Sequence, residues 1–259
     1  EANPMAAGAA MGAMAEAAPD IAMEAATAMA EANPDAAGFA AQSMADAVPE
    51  MAGEAATAMM EAAPDAAGAI AGGVARGDAD IAAQVATQMM ESNPEMMGEI
   101  AGGVAQMAPA SAADVAGAMV EANPDGATDM AATIAETAPN AAGAVAGAIA
   151  EADPGLAAEA ATAMMEANPA TATQAAAGVA NAAPEVAGDV AGAMMEVAMD
   201  PAFSEDFAAS IAEANPDMSF EDIGAMAENF AGNAVGAIAQ GMATGDTEGA
   251  GEVAEAMME

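Results

Sequence analysis

A proline, or a residue in its place, returns every fifteen residues along this chain. Repeats begin at Pro4, Pro19, Pro34, Pro49, Pro64, Ala79, Pro94, Pro109, Pro124, Pro139, Pro154, Pro169 and Pro184. After two extra residues, Met199 and Asp200, they resume at Pro201 and Pro216. After one more, Ala231, they resume at Gly232 and Thr247. Proline lacks a backbone N–H and fixes φ, so no regular element can run through it undisturbed. Each repeat is therefore one short element. A period this strict marks a tandem array, in which neighbours must bury what a single repeat cannot.

Each repeat reads as one helix. Asn33, Asn93, Asn123, Asn168, Asn215, Asp78, Asp153 and Asp246 sit just before a repeat start. There a short side-chain oxygen can accept an orphan N–H of the first turn. Proline suits the next position because the N–H it lacks has no helical partner there. Asp20, Glu50, Asp65, Glu95, Asp125 and Glu185 follow it, where negative charge meets the positive helix end. The following proline and the residue it restricts stop the helix about twelve residues later, a length of roughly 18 Å. A link of about three residues returns the next helix antiparallel.

The faces repeat with the same phase. Counting the proline as position one, position eleven is large and apolar in all 17 repeats, from Met14, Met29 and Met44 to Met242 and Met257. Position seven adds Ile70, Val85, Ile100, Val115, Met130, Val145 and Val190. The two positions share a helix face. Acids at positions two, six and thirteen fall on the other side. Positions five and nine are small, as in Gly68/Gly72, Gly98/Gly102, Gly143/Gly147 and Gly188/Gly192. A mid-helix glycine costs about 1 kcal/mol against alanine, so its repetition predicts close approach between neighbouring helices. The Met-Met pairs Met59-Met60, Met89-Met90, Met164-Met165 and Met194-Met195 hint at two helix classes, although their spacing does not alternate throughout.

The expected fold is all-α: an α-solenoid of short antiparallel helices of about 12 residues, with a 15-residue repeat and 30 residues per helical hairpin. In general plan it resembles HEAT-like solenoids, without a signature of any family. Charge and low aromatic content alone would favour disorder, but disorder needs no phased prolines, caps and methionines. The array runs through 1–259, with regular repeats over 1–198, variant repeats with insertions over 199–231, and terminal repeats over 232–259.

Composition narrows the function. Forty-one acids stand against one arginine, with no lysine or histidine, for a net charge of −40. Nothing is present to neutralise phosphate, so neither nucleic acid nor an anionic membrane is an expected partner. Prolines interrupt every apolar run, so no membrane insertion is expected. Cysteine is absent, and with it disulfides and thiol chemistry. The 26 methionines are thioethers of the kind Cu(I) takes, but they lie on the core stripe, where Met is a flexible filler. With no His, Cys, Lys, Tyr or Trp, and no carboxylate pair distinct from the rest, the chain is not expected to be an enzyme and no cofactor is expected. Weak calcium binding on the acidic rows is the one metal interaction expected, since no EF-hand spacing occurs. Arg76-Gly77-Asp78 reads as a glycine C-cap followed by an aspartate N-cap rather than as an adhesion tripeptide.

The leading functional expectation is a structural, self-assembling protein, a subunit of an extracellular filament, sheath or surface layer. Both termini fall at the same phase of the repeat, and neither shows a more polar capping repeat. Uncapped solenoid ends can stack head-to-tail into a filament, with the chain itself as partner. Candidate subunit contacts are Phe203, Phe207, Phe220 and Phe230 in the variant repeats, with Met257 and Met258 at the end. The alternative is a binding solenoid with a regular surface: an ice binder, on the row Thr27, Thr57 and Thr87, or a calcium-responsive adhesin on the acid rows.

Overall fold

A computed structural model describes residues 4–200 of the chain. The chain divides into two compact blocks, 1–141 and 142–259. In the first block α1 (Pro4–Ala17), α2 (Pro19–Ala32), α3 (Pro34–Ala47) and α4 (Pro49–Ala62) are followed by α5 (Ala67–Gly77), α6 (Ala82–Ser92), α7 (Met97–Met107), α8 (Ala112–Ala122) and α9 (Ala127–Thr137). In the second are α10 (Ala142–Ala152), α11 (Ala157–Ala167), α12 (Ala172–Ala182) and α13 (Ala187–Met199). No strand occurs among the described residues. None of their helices is long and apolar enough to cross a membrane. The expected α-solenoid with a 15-residue repeat is the fold observed.

The helices are longer and the links shorter than the sequence reading had them. Repeats two to four are helical for 14 residues. From Pro64 on, each proline opens a three-residue 3-10 turn, such as Pro64–Ala66 or Pro94–Met96, that runs into an 11-residue α-helix. One residue separates successive helical stretches, except between α5 and α6, where four residues, Asp78 to Ile81, do. The single link residue has φ between −155° and −135° and ψ between 60° and 98°, as a residue before proline is driven to be. Its N–H closes the helix behind it, as from Asn33 to the Met29 carbonyl at 2.8 Å. Its carbonyl accepts from the turn ahead, as from Ala36 N–H at 2.9 Å. The backbone thus satisfies both ends of the link, and Ala18, Val48, Ala63 and Ala108 serve as well as Asn or Asp. Side-chain capping is correspondingly sparse. Asp153 accepts from Gly155 N–H at 2.9 Å, Asn168 from Ala170 N–H at 3.2 Å and Asp78 from Asp80 N–H at 3.0 Å. Asn33, Asn93 and Asn123 make no such bond, contrary to expectation.

Alternate helices pack side by side. In the first block α1, α3, α5, α7 and α9 form one row and α2, α4, α6 and α8 the other. In the second block the rows are α10 with α12 and α11 with α13. Consecutive helices close the rows over a thin core. Helices within a row run parallel. Gly38 of α3 faces Ala69 and Gly73 of α5, and further along Gln42 faces Gly77. Residue n thus meets n+31 and n+35, a stagger of roughly three residues, or about 4.5 Å.

The core is the expected stripe with one addition. At position eleven Met44, Met59, Val74, Met89, Val104, Met119, Ile134, Ile149, Met164, Val179 and Met194 are at most 1% exposed. Ile70, Val85, Ile100, Val115, Met130, Val145 and Val190 of position seven are buried with them. Position twelve also faces inward, and it separates the two helix classes. It is large in α4, α6 and α8 (Met60, Met90, Val120) and in α11 and α13 (Met165, Met195). It is alanine in α3, α5, α7 and α9 (Ala45, Ala75, Ala105, Ala135) and in α10 and α12 (Ala150, Ala180). The alternation suggested by the Met-Met pairs holds from α3 to α9 and from α10 to α13, whereas α2 has Ala30 at position twelve although it lies in the other row. It loses step because α9 and α10, consecutive in the chain, are both of the alanine class, and the division between blocks falls there.

The alanine rows are also the glycine rows. A Cβ placed on Gly73 would overlap the Gly38 carbonyl, one on Gly103 the Gly68 carbonyl, and one on Gly178 the Gly143 carbonyl. The expected close approach exists, but between alternate helices of one row rather than between consecutive ones. Among the described residues no glycine has positive φ. Gly77 is therefore not the left-handed C-cap expected in Arg76-Gly77-Asp78. It lies within α5, and a Cβ there would stand 3.0 Å from that of Ala45.

Candidate functional site

Three surfaces follow from this packing. The first is the acid coat. Positions six and thirteen point outward, and in the large-core row both are acidic in α2 (Glu24, Glu31), α4 (Glu54, Glu61) and α8 (Asp114, Glu121). The row of α11 and α13 repeats this with Glu159, Glu166, Asp189 and Glu196. In the glycine rows α5 has Ala69 and Arg76 there, and α12 has Gln174 and Asn181. Charge thins where helix backbones come closest, because like charges on tightly spaced helices repel most strongly. Among the described residues no group of three or more acids is placed to hold a metal ion.

The second surface is the threonine row on α2, α4 and α6. Thr27 donates its hydroxyl to the Met23 carbonyl and Thr87 to the Ala83 carbonyl, each at 2.9 Å. These hydroxyl protons turn back onto their own helix. Beside Thr57, a shallow groove between α4 and α6 is lined by Glu54, Glu61, Gln88 and Glu91. A groove of similar size on the glycine row lies over Gly68, Gly102 and Gly103, with Thr133 and Thr137 at its edge. Those two hydroxyls also donate to their own helix, to Asp129 and Thr133 carbonyls at 2.9 and 2.7 Å. Every buried side-chain polar atom among the described residues has a hydrogen-bond partner.

The third surface is the outer face of α1 and α2. Met14 and Met29 occupy position eleven, yet they are half-buried, whereas every later described residue at that position is buried. Ile21 of α2 is 60% exposed, while Met51 and Ile81 at the same position of later repeats in its row are half-buried. Along α1, Ala9, Ala13 and Ala17 are all exposed, and Glu16 is that helix's single charge.

The candidate contact residues Phe203, Phe207, Phe220, Phe230, Met257 and Met258 lie outside the described residues, as do the terminal repeats 232–259. The α1–α2 face was not singled out residue by residue from the sequence. Its signal was present as the missing acids at positions two and six of the first repeat, held instead by Met5 and Ala9. Comparison with known protein families, with curated proteins and with solved structures returns no match.

Proposed function

We propose that this chain is a structural, self-assembling repeat protein, a subunit of an extracellular filament, sheath or surface layer that joins copies of itself through apolar faces of the solenoid. The observation that supports the reading is the packing itself: each helix of a row stacks on the next in the same way, α1 on α3, α3 on α5 and α5 on α7, a contact that a repeat of another copy could continue. Burying apolar surface against another copy in this way yields roughly 25 cal/mol per Å² of apolar area. The acid coat supports the same reading from the other side. It keeps the long faces of neighbouring copies apart and so favours contact along the direction in which the repeats stack. On this reading calcium acts as a screening counterion, and nucleic acid is not a partner.

The test is assembly of the purified chain, followed by electron microscopy and sedimentation from low to high salt. Fibres or sheets with a regular subunit repeat, forming as salt rises, are expected. A chain that stays monomeric at every salt and protein concentration overturns the reading.

A further inference from the structure

Two exceptions to the repeat fall in one place. Arg76, near the end of α5, is the single basic residue of the sequence. Three residues on, Ala79 is the one described repeat start that is not proline. Elsewhere proline fixes φ just after a one-residue link, and little chain is left to draw out. Here four residues, Asp78 to Ile81, join α5 to α6. From Arg76 to Ile81 no residue is buried, and Arg76, Ala79 and Asp80 are exposed. Two bonds hold the link together: Asp80 N–H donates to Asp78 Oδ1 at 3.0 Å, and Ala82 N–H to the Ala79 carbonyl at 3.3 Å. The second is the longest backbone bond at any described link. A stretch with few buried contacts and exposed bonds opens while the rest of the fold stays intact.

We propose that Arg76–Gly77 is a limited-proteolysis site, the one bond at which a trypsin-like endopeptidase nicks the folded chain. Such enzymes take an arginine side chain into a pocket with a carboxylate at its base. Arg76 has no ion pair among the described residues, so no partner has to be given up. Gly77 lies against the Gln42 carbonyl of α3 and must lift away before the bond enters the protease cleft. The cut therefore follows local opening of the last turn of α5 together with the link. Water adds across the amide, leaving a carboxylate on Arg76 and an ammonium group on Gly77. The packing of α3 on α5 then lies in one piece and that of α6 on α8 in the other, while α4 with α6 and α5 with α7 become contacts between two chains. The proposal is independent of whether copies of the chain assemble.

The experiment treats the full chain with trypsin and follows the two expected pieces, 1–76 and 77–259, by intact mass. A peptide spanning 70–86 supplies the rate for the same bond in unfolded chain. Cleavage of the full chain is expected to be slower than that of the peptide and nearly independent of urea well below the unfolding midpoint, because local opening exposes little surface. Ala79→Pro leaves Arg76 and Gly77 in place and tightens the link; circular dichroism verifies its fold. It is expected to slow the cut of the full chain about two- to fivefold, after correction by a peptide with the same change. A parent rate that climbs with urea as steeply as global unfolding overturns the proposal, because the bond is then reached only in the unfolded chain. A proline variant cut as fast as the parent, or faster, also overturns it.

Discussion

Gly103 shows what the repeat demands of a single residue. A Cβ there would overlap the carbonyl, carbonyl carbon and Cα of Gly68, all backbone and none free to rotate away. Gly192 of α13 has nothing within 4 Å of its would-be Cβ. The same substitution should therefore have opposite signs at the two sites. Gly192→Ala is expected to stabilise by up to about 1 kcal/mol, through helix propensity and a less flexible unfolded chain. Gly103→Ala gains the same propensity but loses about 1–3 kcal/mol or more to overpacking, so the net effect is a lower melting temperature. Paired thermal melts decide it, and a rise in both would mean the helices of the glycine row separate at little cost. The glycines at positions five and nine were legible in sequence as sites of close approach. Their partners at position ten were not. Pairing n with n+35 depends on which helices adjoin in space and on their stagger, neither of which a 15-residue period states.

The unit of this fold is one proline-opened helical stretch with a one-residue link. Its start was legible because proline, the extended residue before it and the acids after it all point the same way. Its length was underestimated because the link residue closes both helices with its own N–H and carbonyl, so no loop is needed. The asparagine and aspartate caps were over-read for the same reason: a link already satisfied by backbone gains little from a side chain. The sixth repeat isolates the contribution of proline. Ala79 takes the proline place, and Asp78, Ala79, Asp80 and Ile81 precede α6 without forming a 3-10 turn. Asp78 already has the extended backbone that a following proline requires, at φ −146° and ψ 106°. Ala79→Pro is thus expected to stabilise the chain by about 0.4–1 kcal/mol and to extend the helical stretch of that repeat by one turn. Denaturant melts measure the first effect and amide exchange at residues 80–82 the second. A destabilised variant would show that Ala79 holds a φ that proline cannot adopt.

At the scale of the whole chain, a thin core of alanine, methionine, valine and isoleucine is set against a net charge of −40. The solenoid and its core stripe were legible from periodicity alone, whereas the break in helix class between α9 and α10 emerged only once position twelve was seen to face inward. The charge is what the packing must overcome. Parallel neighbours in a row lie about 8–10 Å apart, and most helices of this row bring an acid at the matching position, so Glu24, Glu54 and Asp114 succeed one another along the row, with the neutral Gln84 of α6 between the last two. The Debye length is about 30 Å at 0.01 M salt, 10 Å at 0.1 M and 3 Å at 1 M. Screening between neighbouring helices thus sets in near 0.1 M and is largely complete by 1 M. Melting temperature is expected to climb steeply over that range and then flatten, with assembly following the same curve because two acid coats must approach to form a joint. Calcium distinguishes screening from binding. With no described group of three acids placed to hold an ion, calcium chloride should act as a more effective screening salt, saturating in the millimolar range or above without a stoichiometric endpoint. Calorimetry with a sharp endpoint at a whole number of ions per chain would contradict this, and would place a formed calcium site at the centre of how copies join.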